Sequence, residues 1–387
     1  MVLHASIQRQ RIDYLDGVRA LAILAVLLVH WGSPLAQSLA PGQSLARGGY
    51  LGVDIFFVLS GYIITTMLWR SRNVASIGSQ YLRFIRRRCA RLYPALAGML
   101  VGIFILYAVI HGAPVPAGEL ILPGLVALVQ GSSFYLALGA PDNPFGITWS
   151  LSVEWMFYLL WPLAIFWAKR AGFSARKTSS VGMAVAVALF ACSLFQDERW
   201  FYFSALARMP EIIAGGVLAL VLVDSGCRPS LLRPNLAHWG AFVAVALVAA
   251  YVLVGPVQWS PIFRWVGLPL SVAATLYLIW IGTRSPQGIA VRALSWSPLA
   301  LLGRVSYSLY LWHTLAFELL VRDGVPLPRP VAAVLAVVAT AILTTLSYRF
   351  LELPFMKSQS PAFRHDSGTV TEVETVPSPL TAVADRR

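Results

Sequence analysis

Charge is scarce in this chain. Only 12% of its 387 residues are Asp, Glu, Lys or Arg, against about a quarter in a soluble domain. Cysteine is scarcer: Cys89, Cys192 and Cys227 lie far apart, which excludes a disulfide framework and a zinc pattern and leaves them as small apolar filler. Lysine is nearly absent, 3 residues against 27 arginines, and 17 acidic residues face 30 basic ones. No spacing of His, Cys and carboxylate suits a metal. No Gly-x-Ser-x-Gly elbow calls for a covalent acyl-serine, and no internal repeat points to an inverted-repeat transporter. The first apolar run lacks a small-residue cleavage site, so no cleavable signal peptide is expected.

What is abundant is apolar sequence. At 58% hydrophobic residues, with long apolar runs, the chain reads as an all-α polytopic membrane protein. A net charge of +13 would suggest nucleic acid in a soluble protein. Here the basic residues fall between apolar runs, as the positive-inside rule describes, so the partner is a lipid bilayer and not nucleic acid. About ten spans are expected, near 13–32, 50–69, 92–111, 149–168, 180–196, 208–224, 238–255, 266–283, 301–321 and 331–352. Both termini then lie in the cytoplasm. Residues 120–138 are apolar but broken by Pro123, Gly124, Gln130 and Gly131, and counting them as a span would put the basic loop Lys169–Lys177 outside. They read as a re-entrant or interfacial segment. Residues 1–356 form the transmembrane domain, and 357–387, rich in Ser, Thr and Pro, a disordered cytoplasmic tail.

Arg19 and His30 bracket ten apolar residues of the first span. Eleven helical steps bring the two side chains back to within about 20° of one face, about 16 Å apart. A guanidinium and an imidazole inside a bilayer are costly unless they line a polar interior. Other ionisable residues fall into two layers. Asp54, Glu154, Arg208 and Glu211 join His30 toward the outer helix ends. Asp16, Arg19, Arg86, Arg87, Arg88, Arg91 and Arg304 lie toward the cytoplasm, with His313 near mid-depth. The chemistry suggested is acyl transfer. A neutral imidazole takes a proton from an attacking hydroxyl while a carboxylate orients it; Asp54 and Glu154 are both candidates for that second role. The arginines suit a ligand rich in phosphate, such as coenzyme A.

Each signal has a duller reading. The loop arginines anchor topology on anionic lipid. Asp54 and Glu154 pair with an intramembrane arginine such as Arg208. His313 is as readily a core histidine bonded to a carbonyl, and Trp and Tyr near helix ends form interface belts.

Five ordered motifs narrow the choice: Tyr14-Leu-Asp-Gly-Val-Arg19 with the gap to His30; Gly52-Val-Asp-Ile-Phe-Phe-Val-Leu-Ser-Gly-Tyr62; Arg87-Arg88-Cys-Ala-Arg91-Leu-Tyr-Pro94; Trp149-Ser-Leu-Ser-Val-Glu-Trp155; and Ser306-Tyr-Ser-Leu-Tyr-Leu-Trp-His313. Over about residues 12–355 the chain resembles the acyltransferase-3 family of polytopic bacterial membrane acyltransferases. Val18 and Ala20 are mild variants of the family's first motif.

The resemblance implies transfer of an acetyl or other short acyl group from acyl-CoA, a co-substrate and not a bound cofactor, to a hydroxyl. It implies that Arg19 and His30 are essential, with His30 the base, and that Arg88 and Arg91 help hold the coenzyme. Arg87 and Arg304 are further coenzyme candidates, and Asp54 and Glu154 complete the catalytic set. His313, Arg208, Glu211 and Trp149 are candidate acceptor contacts. Some members carry a fused SGNH hydrolase-like domain, which a chain ending about thirty residues past its last span is expected to lack. Short outer loops and an arginine-rich, actinomycete-like composition put a macrolide or similar secondary metabolite first as acceptor. An envelope glycan or lipid-linked sugar is the alternative, and a transporter without chemistry the second alternative. The expected location is the cell membrane, spanned several times.

Overall fold

A computed structural model describes residues 2–32, 46–71, 76–111, 120–224, 234–317 and 328–357. Among them every regular element is helical. Helix α1 (Val2–Leu27) runs into a π-helical turn, Leu28–Gly32. Then come α2 (Leu51–Arg70), α3 (Ile77–His111), two short helices α4 (Leu122–Leu128) and α5 (Ser132–Ala137), α6 (Trp149–Arg170) and α7 (Ala175–Ser193). They are followed by α8 (Glu198–Phe203), α9 (Ala205–Asp224), α10 (Pro234–Val254) and α11 (Leu268–Arg284), the last entered through a π turn at Phe263–Gly267. Helices α12 (Ile289–Leu294), α13 (Ser297–Arg304), α14 (Ser306–Phe317), α15 (Arg329–Leu346) and α16 (Leu353–Lys357) complete the described chain. The tail expected over 357–387 lies outside the described residues after Lys357.

Among the described residues eight helices are long and apolar enough to cross a membrane: Asp13–Gly32, Arg47–Arg70, Ile77–Val109, Gly146–Arg170, Glu198–Asp224, Ala237–Val254, Phe263–Arg284 and Pro330–Met356. This is an integral membrane protein of α-helices. The expected spans at 180–196 and 301–321 do not join the eight, for local reasons. Helix α7 opens on Arg176, Lys177 and three hydroxyl side chains, Thr178, Ser179 and Ser180. The ninth expected span is broken at Val305 into α13 and α14, and 318–327 lie outside the described residues. Residues 120–138 fold as α4 and α5, of 7 and 6 residues. Neither reaches across a hydrocarbon core of about 30 Å. Gln130, between them, takes a left-handed backbone at φ 58°.

Lipid tails are as apolar as leucine, so helices associate in a bilayer through close packing and polar ties. Both are visible where α2 crosses α9. A Cβ added to Gly61 would sit 1.7 Å from the Ile212 carbonyl oxygen, and one added to Gly215 would sit 2.0 Å from that of Val58. Only glycine permits backbones this near. Polar ties fix the neighbours. Trp161 Nε1 donates to Thr65 Oγ1 at 2.8 Å, holding α6 to α2, and the Tyr14 hydroxyl donates to the Leu278 carbonyl at 2.7 Å, holding α1 to α11. At the C-terminus of α2, Lys169 Nζ donates to the carbonyls of Leu68, at 3.1 Å, and Ser71, at 2.6 Å. That cation stands at the negative end of a helix dipole. Among the polar groups that the bundle encloses, two centres bear on function.

Candidate active site

The first centre surrounds Glu154. Helix α6 sets Tyr158 one turn after Glu154, so both share a face. The Tyr158 hydroxyl donates to Glu154 Oε2 at 2.7 Å, and Ser60 of α2 donates to Oε1 at 2.6 Å. A cavity of about 60 Å³ opens beside this carboxylate, lined by Arg19, Ser60, Ser150, Glu154, Tyr307 and Tyr310 among others. That is room for ordered water or the tip of a substrate, not for a whole coenzyme. Arg91, Asp16 and Glu154 stand within electrostatic range of Arg19. Arg88 has Tyr158, Arg91, Glu154 and Arg19 around it. Its guanidinium lies over the rings of Phe84 at 5.2 Å and Tyr158 at 5.5 Å, a cation–π arrangement. Buried Arg91 Nε has no hydrogen-bond partner. Three guanidiniums thus share one neighbourhood with the carboxylates of Glu154, Asp16 and Glu352, and an N–H left without an acceptor, as at Arg91 Nε, suits an anion.

The second centre is a pair of imidazoles. His30 sits in the π turn that ends α1 and His313 in α14, with ring centroids 4.8 Å apart. His313 Nδ1 lies 2.7 Å from the Tyr310 carbonyl oxygen, and His30 Nδ1 lies 2.9 Å from that of Val26. A carbonyl only accepts, so each Nδ1 carries the hydrogen. His313 Nε2 then holds a lone pair toward His30 Nδ1, 3.3 Å away. In this network His30 Nε2 is left as an uncommitted base. Trp31 donates from Nε1 to the His313 carbonyl at 2.8 Å and braces the pair.

Tyr310 belongs to both centres. Its hydroxyl donates to the Ile147 carbonyl at 2.8 Å and lies 2.8 Å from Ser150 Oγ, at the cavity wall. Its ring is 5.5 Å from that of His313.

The motifs that frame these centres match a family. The model for the acyltransferase domain, Acyl_transf_3, covers residues 12–349. The chain belongs to this acyltransferase family. Among curated proteins, this acyltransferase is 30% identical over 373 residues to peptidoglycan O-acetyltransferase OatA of Listeria monocytogenes, covering 90% of this chain and 56% of that protein. It is 30% identical over 376 residues to the putative peptidoglycan O-acetyltransferase YrhL of Bacillus subtilis, covering 91% and 56%. It is 28% identical over 379 residues to O-acetyltransferase OatA of Staphylococcus aureus, covering 90% and 58%. The acyltransferase therefore spans a little over half the length of these relatives. No solved structure matches it.

The expected site residues divide between the centres. Arg19 lines the Glu154 chamber, while His30 meets His313. The π turn at Leu28–Gly32 offsets His30 from the bearing that an unbroken α-helix gives. Neither carboxylate orients the imidazole. Glu154 accepts from Ser60 and Tyr158. Asp54 accepts from Arg208 Nη2, with Ser271 Oγ 3.4 Å from its other oxygen. A guanidinium fork is the stronger partner for a buried carboxylate. Glu211 completes that cluster, 3.2 Å from Arg208 Nη1. Arg208 is wholly buried inside a box of Phe57, Trp149, Tyr202 and Phe263, each ring 5.5–5.8 Å from its guanidinium. Arg208, Glu211 and Trp149 thus pack against one another in the buried cluster, with Arg208 Nε and both Glu211 oxygens lacking a hydrogen-bond partner. The coenzyme candidates divide as well. Arg88 and Arg91 stand within electrostatic range of Tyr158 at the cavity's Glu154 side, Arg87 is exposed, and Arg304 pairs with Asp13 at 3.9 Å.

Ser60, Tyr158, Tyr307, Tyr310 and Tyr50 were not singled out from sequence. Two of them carried a readable signal. Tyr158 stands four residues after Glu154, and Tyr310 three before His313, both helical spacings that put side chains on one face.

Proposed function

We propose that this chain transfers an acyl group, acetyl being the expected one, from acyl-CoA to a hydroxyl of a cell-envelope glycan. The observation that carries the reading is the pairing of a guanidinium-rich chamber with an imidazole pair, both reached by one tyrosine, Tyr310. Arg88 and Arg91 hold the phosphates of the coenzyme, and Arg19 lines the chamber that receives the thioester. The glycan hydroxyl approaches from the histidine end, and His30 Nε2 takes its proton as oxygen attacks the thioester carbon. The new C–O bond forms, the C–S bond breaks, and the thiolate leaves toward the arginines, where it gains a proton. The tautomer that leaves Nε2 free is maintained by the Val26 carbonyl and His313.

The choice of acceptor follows the relatives. Those described above from Listeria and Bacillus are named for acetylating peptidoglycan. This favours the envelope glycan over the macrolide that short loops and composition put first.

The test is reconstitution in lipid nanodiscs with isotope-labelled acetyl-CoA, offered peptidoglycan glycan fragments and a macrolide in parallel. Label on the glycan, lost in His30→Ala, is the expected outcome. Label on the macrolide alone, or flux of either compound without coenzyme consumption, would overturn the reading.

A further inference from the structure

Next to His30 the protein presents aromatic and amide groups that the reaction above does not use. The Tyr50 ring meets His30 edge-on at 6.0 Å and Tyr202 at 5.9 Å. Tyr202 in turn meets Trp259 at 5.3 Å, and Phe203 meets the same indole at 5.7 Å. Trp259 is held from behind by two rings yet is 41% exposed. A large aromatic side chain fixed so and left open offers a rigid apolar platform. Beside it, the carboxamide of Gln258 bonds the Tyr50 hydroxyl. Gln258 is only 8% exposed, and its Oε1 has no hydrogen-bond partner. A buried acceptor of this kind costs free energy unless something donates to it. The carboxylate of Asp142, exposed, is within electrostatic range of Tyr50.

The three kinds of group match the three kinds of surface on a saccharide. The C–H faces of a sugar ring lie flat on an aromatic platform, and its hydroxyls donate to amide and carboxylate oxygens while accepting from a phenol. The Asp54–Arg208–Glu211 cluster is buried, and the groove between α6 and α7 is lined mainly by apolar side chains. Among the described residues, the ring contacts from His30 through Tyr50 and Tyr202 end at the exposed Trp259.

We propose that Trp259, Gln258, Tyr50 and Asp142 form the acceptor subsite, binding a saccharide so that one of its hydroxyls reaches His30 Nε2. Gln258 Oε1 accepts a hydrogen bond from a hydroxyl of the sugar nearest Tyr50, and Trp259 stacks under a neighbouring ring of the same glycan. This rests on the glycan reading of the preceding subsection and adds the place where the glycan sits.

The experiment measures half-saturation for both substrates with the full chain in nanodiscs. Acetyl-CoA is the donor, and a soluble N-acetylglucosaminyl–N-acetylmuramic acid disaccharide is the probe acceptor. Gln258→Leu and Trp259→Ala are each expected to raise the half-saturating disaccharide concentration about tenfold, the effect of one lost hydrogen bond or stacking contact. Half-saturation for acetyl-CoA should stay within about twofold. Trp259→Phe, which keeps a ring, should recover most of the loss. Quenching of indole fluorescence by the disaccharide, absent in Trp259→Phe, reads binding independently of turnover. Wild-type protein that acetylates the disaccharide while both variants saturate as it does would overturn the subsite alone. Wild-type protein that consumes acetyl-CoA with another alcohol but never with a saccharide would overturn the glycan reading and the subsite with it.

Discussion

His313 Nε2 stands 3.3 Å from His30 Nδ1, with each ring's Nδ1 proton directed to a main-chain carbonyl. Two histidines 283 residues apart in sequence thus form one acid–base unit in which a single nitrogen stays free. The pair predicts an ordering of variants. His30→Ala should lower kcat by about a hundredfold or more, the usual contribution of a positioned base. His313 acts through its neighbour and is a positioning residue. His313→Phe should cost about tenfold in kcat, while His313→Gln, which keeps an acceptor, restores most of it. KM for acyl-CoA should move in neither. A His313→Gln protein as slow as His313→Phe would show that ring packing, not the lone pair, is what matters.

The guanidinium chamber makes a prediction that depends on the donor used. Arg88→Gln and Arg91→Gln should each raise KM for acetyl-CoA by about tenfold, since a charge-assisted contact to phosphate contributes about 1.5–3 kcal/mol. With S-acetylpantetheine, which has the thioester but no phosphate, the same variants should match the parent. An equal penalty with both donors would assign these arginines to the architecture of α3.

The Asp54–Arg208 pair predicts a stability effect. Both side chains are fully buried, so Asp54→Ala leaves the Arg208 guanidinium with Glu211 alone and should destabilise the fold by about 3 kcal/mol. Arg208→Met and Glu211→Gln added in the same chain should recover part of that loss, because together they remove the remaining buried charges of the cluster. Thermal unfolding in detergent, followed by a thiol-reactive dye at Cys89, measures both. Additive losses in the triple variant would show that the three residues do not act as a unit.

Much of this could be read from residue order. The motif around Arg88 and Arg91 announced a basic mouth, and the apolar runs announced the bundle. Asp54 next to Arg208 was foreseeable too, as the dull alternative to catalysis: an intramembrane carboxylate needs a cation, and few were on offer. What sequence could not show was how α2 deals its side chains. Asp54 and Ser60 lie on one helix, yet one meets Arg208 and the other Glu154. Six helical steps set the two about 120° apart around α2, but which neighbour stands on each side depends on how the helices pack, as at Gly61 and Gly215. The placement of Glu154 had the same difficulty. Its depth along α6 resembles that of Asp54 along α2, but the neighbours are different helices.

The widened turn at Leu28–Gly32 makes residue counting an unsafe guide to direction. One amino acid there is taken up in girth instead of advance, so the compass bearing of His30 about the α1 axis is offset from what its number implies. Loss of Leu28 or Val29 from that turn would leave composition and hydropathy almost unchanged and shorten only the gap between Arg19 and His30. The ring would nonetheless swing by about 100° and lose sight of its partner. Aligning such chains without counting that gap would miss the defect.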